Sequence, residues 1–167
     1  RESFGEDPYH MQRLVVEYVT GAQNNTRGVP HDASRSGPPL LSGMCCKHVA
    51  AYDVEGSRYT FNATVDKRNL WESYLPAFKG CISEAKASHA MCSYNAINAV
   101  PTCAEPGLLT HVLRDQFGFE GFVVSDYDAW AFMSIRDGPN PYATTISEAA
   151  VLGIRAGLDQ EGGGNSC

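Results

Sequence analysis

Apolar segments of strand length alternate with amphipathic helical segments along most of this chain, and that alternation restricts the folds open to it. We predict buried strands within "LLSGMCCKHVAAY" (40–52), "HAMCSYN" (89–95) and "GFVVSD" (121–126). Their apolar residues follow one another instead of alternating with polar ones, which is typical of strands covered on both faces. Helices between such strands return the chain so that the strands run parallel. The sequence therefore predicts an α/β fold with a parallel sheet.

The first helix has clear signals at both ends. Asp7 suits the N-cap, Pro8 suits the first helical position, and the polar residues 23–26 should stop the helix. A long loop rich in Gly, Pro and Ser is predicted over residues 27–39. The buried stripe of the helix is predicted to consist of Met11, Leu14, Val15, Tyr18 and Ala22.

Three further helices are predicted between and after the strands. Pro76 should kink or divide the first of them, because its ring clashes with the preceding turn. The second covers residues 106–117, and the third runs from Thr145 to Gly157 with Glu148 completing a capping box. The apolar stripe of the helix that contains the proline is Leu70, Trp71, Tyr74, Phe78, Cys81, Ile82 and Ala85.

Polar residues stand where the predicted strands end. In parallel sheets and (β/α) barrels, functional side chains collect at the carboxyl ends of the strands, so these positions mark the expected active site. A further strand begins with "LDQE" (158–161) and contributes one of them. The positions are Lys47-His48, Ser93-Tyr94-Asn95, Ser125-Asp126 and Asp159.

No nucleotide-binding signature follows any predicted strand. The sequence contains neither GxGxxG nor a P-loop, and the Gly162-Gly163-Gly164 run lacks the Lys-Ser/Thr pair of a phosphate cradle. We therefore predict no cofactor, and a segment of a barrel fits better than a nucleotide-binding sheet.

Composition and charge argue against several other classes of protein. The 167 residues are 43% hydrophobic and 19% charged, as in an ordinary globular domain. The net charge is −6, and Lys67-Arg68 is the only dense basic run, so nucleic acid is not an expected partner. No apolar stretch approaches the roughly 20 residues that span a bilayer. Because the chain opens on Arg1, we expect it to be cut from a longer polypeptide.

The six cysteines favour disulfides over a metal site. They lack paired CxxC spacing and the five histidines are scattered, so no metal-binding constellation is predicted. Sequons make Asn24 and Asn62 candidate glycosylation sites. Together these features indicate the secretory pathway. The alternative is a cytosolic protein with six buried, reduced thiols.

Five longer motifs stand in order along the chain. They are "ESFGEDP" (2–8), "CCKHVAAYDVE" (45–55), "RYTFNATVDKRNLWESYLPAF" (58–78), "MCSYNAINAVPTCA" (91–104) and "GFEGFVVSD" (118–126). The set resembles the first domain of family 3 glycoside hydrolases, the β-glucosidase and β-xylosidase group, and is most similar to its β-xylosidase-like branch. The resemblance implies a (β/α)8 TIM-type barrel. Because a full barrel needs about 250 residues, this chain would supply roughly half of it.

The resemblance assigns roles to several strand-end residues. Asp126 matches the nucleophile of a retaining glycosidase, which works with a second carboxyl group about 5 to 5.5 Å away. Lys47 and His48 match a sugar-binding pair, and Lys47 is expected to help keep Asp126 ionised. The positions that match the surroundings of the same sugar are Met91, Tyr94 and Tyr127.

The chain also departs from the family pattern. Tyr127 stands where many members have Trp or Cys, so the specificity of that subsite stays open. The sugar-binding Arg of the family lies a few residues before the Glu of the "GEDP" segment. Arg1 stands one residue before Glu2, and it is not assigned that role. We interpret His31-Asp32 as a turn and Asp128 as a loop carboxylate or cap. The general acid of the family is a Glu from a later domain, so the chain alone is expected to be inactive.

Each assignment has a structural alternative. Lys47 and His48 are of residue types that are often solvated surface groups at strand ends. Tyr94 alone would be a core residue with a bonded hydroxyl, and Met91 would be ordinary gap-filling core.

Two functions are compatible with the sequence. In the first, the parent polypeptide is a secreted, exo-acting retaining β-glycosidase that hydrolyses terminal nonreducing β-D-xylosyl or β-D-glucosyl residues of oligosaccharides or glycosides. Its remaining barrel and a second, acid/base-bearing domain would be the partners of this segment. In the second, it is a non-catalytic structural or carbohydrate-binding glycoprotein of an extracellular assembly. The intact Lys-His and Ser-Asp motifs favour the enzyme, because a non-catalytic protein has no physical need for an ion pair in a pocket.

Overall fold

The computed structural model describes residues 2–23, 40, 42–59, 61–134 and 142–163, and its centre is a parallel sheet of three strands. Within these residues the strands are β1 (Cys45–Val49), β2 (Asn62–Ala63), β3 (His89–Cys92), β4 (Ala96–Ile97), β5 (Val100–Pro101) and β6 (Phe122–Ser125). The central sheet has the order β1-β3-β6, and both pairings are parallel. The three predicted buried strands are therefore confirmed, with β1 ending at Val49 instead of at Lys47-His48.

Helices cover the sheet and confirm the four that were predicted. They are α1 (Pro8–Ala22), α2 (the consecutive segments Lys67–Asn69, Leu70–Tyr74, Leu75–Lys79 and Gly80–Glu84), α3 (Gly107–Gln116), α4 (Ala129–Phe132) and α5 (Ile146–Ala156). The short α4 was not predicted. Around Pro76, α2 changes to wider π-type turns, in which the N–H of Leu75 donates to the carbonyl of Leu70. Pro76 itself lies in the α-helical segment Leu75–Lys79, so the helix continues through the proline and is not divided there.

The predicted caps of α1 and α5 form as local hydrogen bonds. The Asp7 carboxylate accepts from the His10 N–H (2.7 Å), and the Thr145 hydroxyl accepts from the Glu148 N–H (3.1 Å). Half of the predicted capping box is wrong, because the Glu148 carboxylate accepts from the N–H and hydroxyl of Thr144. At the other end of α5, Gly157 adopts the left-handed conformation with φ 109°.

The predicted buried stripe of α1 is wrong at two positions. Leu14 is 39% exposed and Tyr18 is 58% exposed, whereas Val19 is buried and Val16 packs against the core. Apolar residues occur on both sides of the expected stripe, so the periodicity alone is compatible with two orientations of α1 toward the core. Packing against α2 selected the face that carries Val19.

The predicted loop through Pro101 and Cys103 is partly regular. Strands β4 and β5 form an antiparallel hairpin, β2 pairs with β4 in parallel, and Thr102–Ala104 forms one short 3₁₀ turn. Asn98 and Ala99 have positive φ values of 49° and 71°, which close this tight hairpin. The expected strand at 158–161 is reduced to a single parallel bridge from Gln160 to β6.

Four of the cysteines form disulfides, in agreement with the disulfide hypothesis. Cys46 in β1 is bonded to Cys81 in α2, and Cys92 at the end of β3 is bonded to Cys103. Cys45 is a half-buried free thiol, and burial raises its pKa to about 11. The two bridges therefore tie the central sheet to its covering elements.

Several predictions fall outside the described residues. They concern Arg1, the sequon at Asn24, the loop over 27–39, the His31-Asp32 pair and Cys167. Asn62 lies within them, in β2, and is exposed. None of the helices in the described ranges is long and apolar enough to cross a membrane.

Candidate active site

Asp126 follows β6 directly and lies at the carboxyl edge of the parallel sheet. Its N–H donates to the carbonyl of Cys92 at the end of β3 (3.1 Å), so the pairing of the two strands continues up to this residue. The Tyr127 N–H donates to Asp126 Oδ1 (2.8 Å). Only 8% of Asp126 is exposed. The residue after β6 is thus an acid whose backbone and carboxylate are both held by hydrogen bonds.

Side chains from the other two strands of the sheet bond the Asp126 carboxylate: His48 lies in β1, and Tyr94 lies just beyond β3. His48 Nε2 lies 3.2 Å from Asp126 Oδ2, with the two side chains 9% and 11% exposed. The Tyr94 hydroxyl also hydrogen-bonds the carboxylate. The structure therefore brings together three of the predicted site residues.

These contacts determine the charge state of the site. Burial raises the pKa of Asp126, but hydrogen bonds from His48, the Tyr127 N–H and Tyr94 outweigh burial and hold the pKa below its usual value. Burial and the neighbouring Asp126 charge raise the pKa of Tyr94. At neutral pH the site therefore holds an ionised carboxylate against a neutral phenol.

Lys47 pairs with a different carboxylate. Its Nζ lies 2.8 Å from Glu2 Oε2, and the Lys47 side chain is 43% exposed. The expected effect of Lys47 on the charge of Asp126 is supplied instead by His48, the next residue along β1. Of the peptide bonds in this region, Lys47–His48 and Val49–Ala50 are cis.

The remaining predicted substrate-binding residues lie near Asp126 along the chain or across the sheet. Met91 is half-buried in β3 and stands opposite Val124 of β6. Tyr127 follows Asp126 directly and is 70% exposed. Asp128 takes the N-cap position of α4, but its side chain makes no capping hydrogen bond there. The substrate contacts of Met91 and Tyr127 stay predictions.

The other polar strand-end residues hold the backbone. Ser93 Oγ donates to the last carbonyl of β1 (3.1 Å), and Asn95 Nδ2 donates to two carbonyls just beyond it (3.2 and 3.1 Å). Asp159 Oδ2 accepts from Arg114 (2.5 Å) and from the Val123 N–H (2.7 Å). These three residues therefore position the strands, and the expectation that Asp159 belongs to the site is wrong.

Sequence reasoning missed an aromatic cluster around Tyr94. The rings of Tyr59 and Phe132 lie 4.8 and 5.5 Å from the Tyr94 ring, and that of Tyr52 lies 6.1 Å away. Tyr52 also contacts the His48 ring edge to face, at 5.1 Å. An apolar wall beside a few polar groups is typical of small-ligand sites.

A cation completes this cluster. The Arg58 guanidinium lies 4.6 Å from the centre of the Tyr59 ring and 5.7 Å from that of Tyr94. Arg58 and Tyr59 are the first two residues of "RYTFNA", which belongs to one of the motifs that carry the family resemblance. The sequence signal that could have revealed this cluster is Arg58 between Tyr52 and Tyr59, shortly after the polar end of β1.

The reactive group of the site is the Asp126 carboxylate, together with the hydrogen-bond donors around it. Within the ranges that the structure describes, no group of three or more His, Cys, Asp or Glu side chains is placed to hold a metal ion. Outside the site, the exposed Asn62 accepts from the Ala99 N–H through Oδ1 (2.7 Å).

Curated relatives match almost the whole chain. Probable beta-D-xylosidase 7 of Arabidopsis thaliana is 39% identical over 163 residues, which cover 95% of this chain and 20% of that protein. Probable exo-1,4-beta-xylosidase bxlB of Aspergillus clavatus is 41% identical over 172 residues, with coverages of 98% and 20%. The chain therefore spans about a fifth of the length of these relatives.

Solved structures share the fold. A GH3 exo-beta-xylosidase (XlnD) in complex with a xylobiose aziridine activity-based probe matches with a TM-score of 0.85 and 32% identity, over 97% of this chain and 20% of that one. A beta-glucosidase from Listeria innocua in complex with glucose matches with a TM-score of 0.78 and 31% identity, over 96% and 21%. The predicted α/β fold, as part of a (β/α)8 barrel, is confirmed.

The family assignment rests on these matches together with the sequence profile of the "Glycosyl hydrolase family 3 N terminal domain", which matches residues 1–161. The resemblance drawn from the motifs is thereby confirmed, and the chain belongs to glycosyl hydrolase family 3.

Proposed function

We propose that the parent polypeptide of this chain is a retaining β-glycosidase and that Asp126 is its nucleophile. The observation that carries the proposal is the buried Asp126 carboxylate, which His48, Tyr94 and the Tyr127 N–H hold ionised. Attack on an anomeric carbon requires an ionised carboxylate with a restricted orientation. Membership of glycosyl hydrolase family 3 supports the same reaction.

The reaction proceeds in two steps. Asp126 bonds to the anomeric carbon while the glycosidic bond breaks, and a carboxylic acid from the rest of the parent polypeptide gives its proton to the leaving oxygen. The resulting carboxylate then takes a proton from water, which attacks the anomeric carbon and releases the sugar from Asp126. His48 and Tyr94 hold the Asp126 carboxylate in place before attack and stabilise its charge when it is regenerated.

The proposed substrates carry a terminal nonreducing β-D-xylosyl residue, and β-D-glucosides are the second candidate. The relatives named above are β-xylosidases, and the structural neighbours bound a xylobiose probe and glucose. Lys47, His48 and Tyr94 would hold the nonreducing sugar, with Met91 and Tyr127 beside it. Xylose lacks the hydroxymethyl group of glucose, and differences of this size are worth about 1–3 kcal/mol of discrimination.

We also propose that the parent is a secreted glycoprotein. Two disulfides suit an oxidising compartment, and Asn62, the first residue of a sequon, is exposed. The remaining barrel and the general acid would come from the same polypeptide, which is why the experiments below use its full length.

Covalent labelling tests the nucleophile directly. We expect a 2-fluoro-β-xyloside with a dinitrophenolate leaving group to inactivate the full-length parent and to add one glycosyl group to the peptide that contains Asp126. The fluorine slows the second step, so the intermediate accumulates. Peptide mass spectrometry locates the label, and the glucoside analogue tests the sugar preference. A folded protein that takes no label from either sugar would favour the non-catalytic, carbohydrate-binding function.

The pH dependence of labelling should report the pKa of Asp126. Because this pKa is lowered, labelling should persist through the ordinary carboxyl range and disappear only at lower pH, where Asp126 is protonated. Replacing His48 by Ala removes a hydrogen-bond donor, so the loss should begin at higher pH. The dinitrophenolate needs no acid catalyst, so the acid limb reports protonation of Asp126 and not of the general acid. His111→Ala, at an exposed histidine of α3, is the control, and an unchanged acid limb in His48→Ala would contradict the prediction.

A further inference from the structure

The segment after α5 reaches the edge of the sheet that carries Asp126. Gln160 forms a parallel bridge with Val124 and so extends the sheet beyond β6. The Ser125 N–H donates to the Gln160 carbonyl (2.9 Å). Glu161 therefore stands beside Ser125, the residue that precedes Asp126.

A chain of hydrogen bonds joins this segment to Ser125. Ser125 Oγ donates to Glu161 Oε2 (2.6 Å) and accepts from the Gly162 N–H (2.9 Å), and Ser125 is completely buried. The backbone that carries Asp126 is thus held on two sides, by Cys92 of β3 and by residues 160–162. The position of the Asp126 backbone therefore depends both on β3 and on residues 160–162.

The segment approaches the turn after β6 so closely that glycine is required at two positions. A methyl group on Gly162 would overlap the carbonyl oxygen of Ser125. A methyl group on Gly163 would lie 2.6 Å from the backbone nitrogen of Asp128, closer than real side chains come. Residues 162 and 163 are therefore packed directly against the backbone on either side of Asp126.

The choice of a carboxylate at position 161 calls for a reason. Glu161 Oε1 is buried, and no hydrogen-bond donor in the described part of the chain reaches it. Burying such an oxygen is unfavourable, and a neutral amide would also accept from Ser125. A carboxylate makes the stronger, charge-assisted bond and therefore restricts the Ser125 hydroxyl more tightly.

We propose that Glu161 is a positioning residue for glycosyl transfer to Asp126. By holding Ser125 it directs the Asp126 carboxylate at the anomeric carbon, without touching the sugar itself. The inference rests on the proposed function. It differs from a purely structural role because it predicts slower covalent attack in protein that is folded and still binds the sugar.

The test compares attack with binding in the full-length parent. In Glu161→Gln, the rate constant for labelling by the 2-fluoro-β-xyloside should fall about 10- to 100-fold, as expected for a misdirected nucleophile. The Kd for xylose should change less than about threefold, because the sugar contacts are kept. The acid limb of labelling should stay in place, since Glu161 is not among the groups that shift the pKa of Asp126.

Two more variants make the result decisive. Ser125→Ala removes the hydroxyl and with it both the bond to Glu161 and the bond from the Gly162 N–H, so it should slow labelling at least as much as Glu161→Gln. The double variant should be no slower than Ser125→Ala, because Glu161 acts only through the Ser125 hydroxyl. Glu120→Gln removes the same charge from an exposed position just before β6, at the opposite edge of the sheet, and should label normally.

Each outcome decides between a positioning role and a purely structural role for Glu161. If Glu161→Gln lowers the Tm but labels at the normal rate, the positioning role is overturned. If Glu161→Gln does not fold, Ser125→Ala decides, and normal labelling of that variant overturns the role. If the folded wild type takes no label on Asp126, the proposed function fails and this inference fails with it.

Discussion

Replacing Asp126 by Ala in the full-length parent should lower kcat/KM for an aryl β-xyloside by at least about 10⁴-fold, because the reaction loses its nucleophile. Added azide should restore turnover, since a small anion can enter the space that the carboxylate leaves and attack the anomeric carbon. One attack inverts the configuration once, so the product should be the α-xylosyl azide. Initial rates and the NMR coupling constant of the anomeric proton measure the two effects.

The matched control for this variant is Asp115→Ala. Asp115 is an exposed carboxylate of α3 that pairs with His111, away from the sheet edge that carries Asp126. Its replacement should leave kcat/KM within about twofold, as for most surface substitutions. A β-configured azide product, or an Asp126→Ala variant with normal turnover, would show that another group is the nucleophile.

Removing the Cys46–Cys81 disulfide should destabilise the domain by about 4 kcal/mol, the chain-entropy value for a loop of this length. The bridge spans 35 residues and connects β1, which contains His48, with α2. The Cys92–Cys103 bridge spans 11 residues, so its removal should cost less, about 3 kcal/mol. The double replacements Cys46→Ala/Cys81→Ala and Cys92→Ala/Cys103→Ala, compared by thermal unfolding, measure the difference.

Hydrogen exchange separates loss of the bridge from loss of packing. In Cys46→Ala/Cys81→Ala, peptides from β1 and α2 should exchange faster, because these are the elements that the bridge joins. Cys45→Ala is the control, since it removes a thiol from the same strand without breaking a bond between chain segments. Equal destabilisation by the control and the double variant would show that side-chain volume, not the cross-link, stabilises the domain.

Local signals in the sequence were sufficient for most of the fold. The ends of α1 and α5 were predicted correctly because Asp7, Thr145 and Gly157 act on backbone groups within a few residues of themselves. The three central strands were predictable because consecutive apolar residues have few other places in a folded chain. The buried face of α1 was not, because it depends on packing against α2.

The candidate site was predictable in its position and less so in its contacts. The motif around Asp126 and the rule for strand ends indicated the correct edge of the sheet. They indicated Lys47 as the cation that keeps Asp126 ionised and His48 as a second donor, whereas the structure pairs Lys47 with Glu2 and His48 with Asp126. They also proposed Asp159, although Glu161 is the residue whose carboxylate accepts from the hydroxyl of Ser125, next to Asp126.

The sequence by itself determined the three central strands, the four long helices, the family and the acid that follows β6, because each depends on residues close together in the chain. The tertiary structure alone decided which donors hold that acid, which cysteines pair and which face of α1 is buried. These choices depend on the register and packing of distant segments. A displacement of one residue along a strand turns a side chain to the other face, and no local pattern records it.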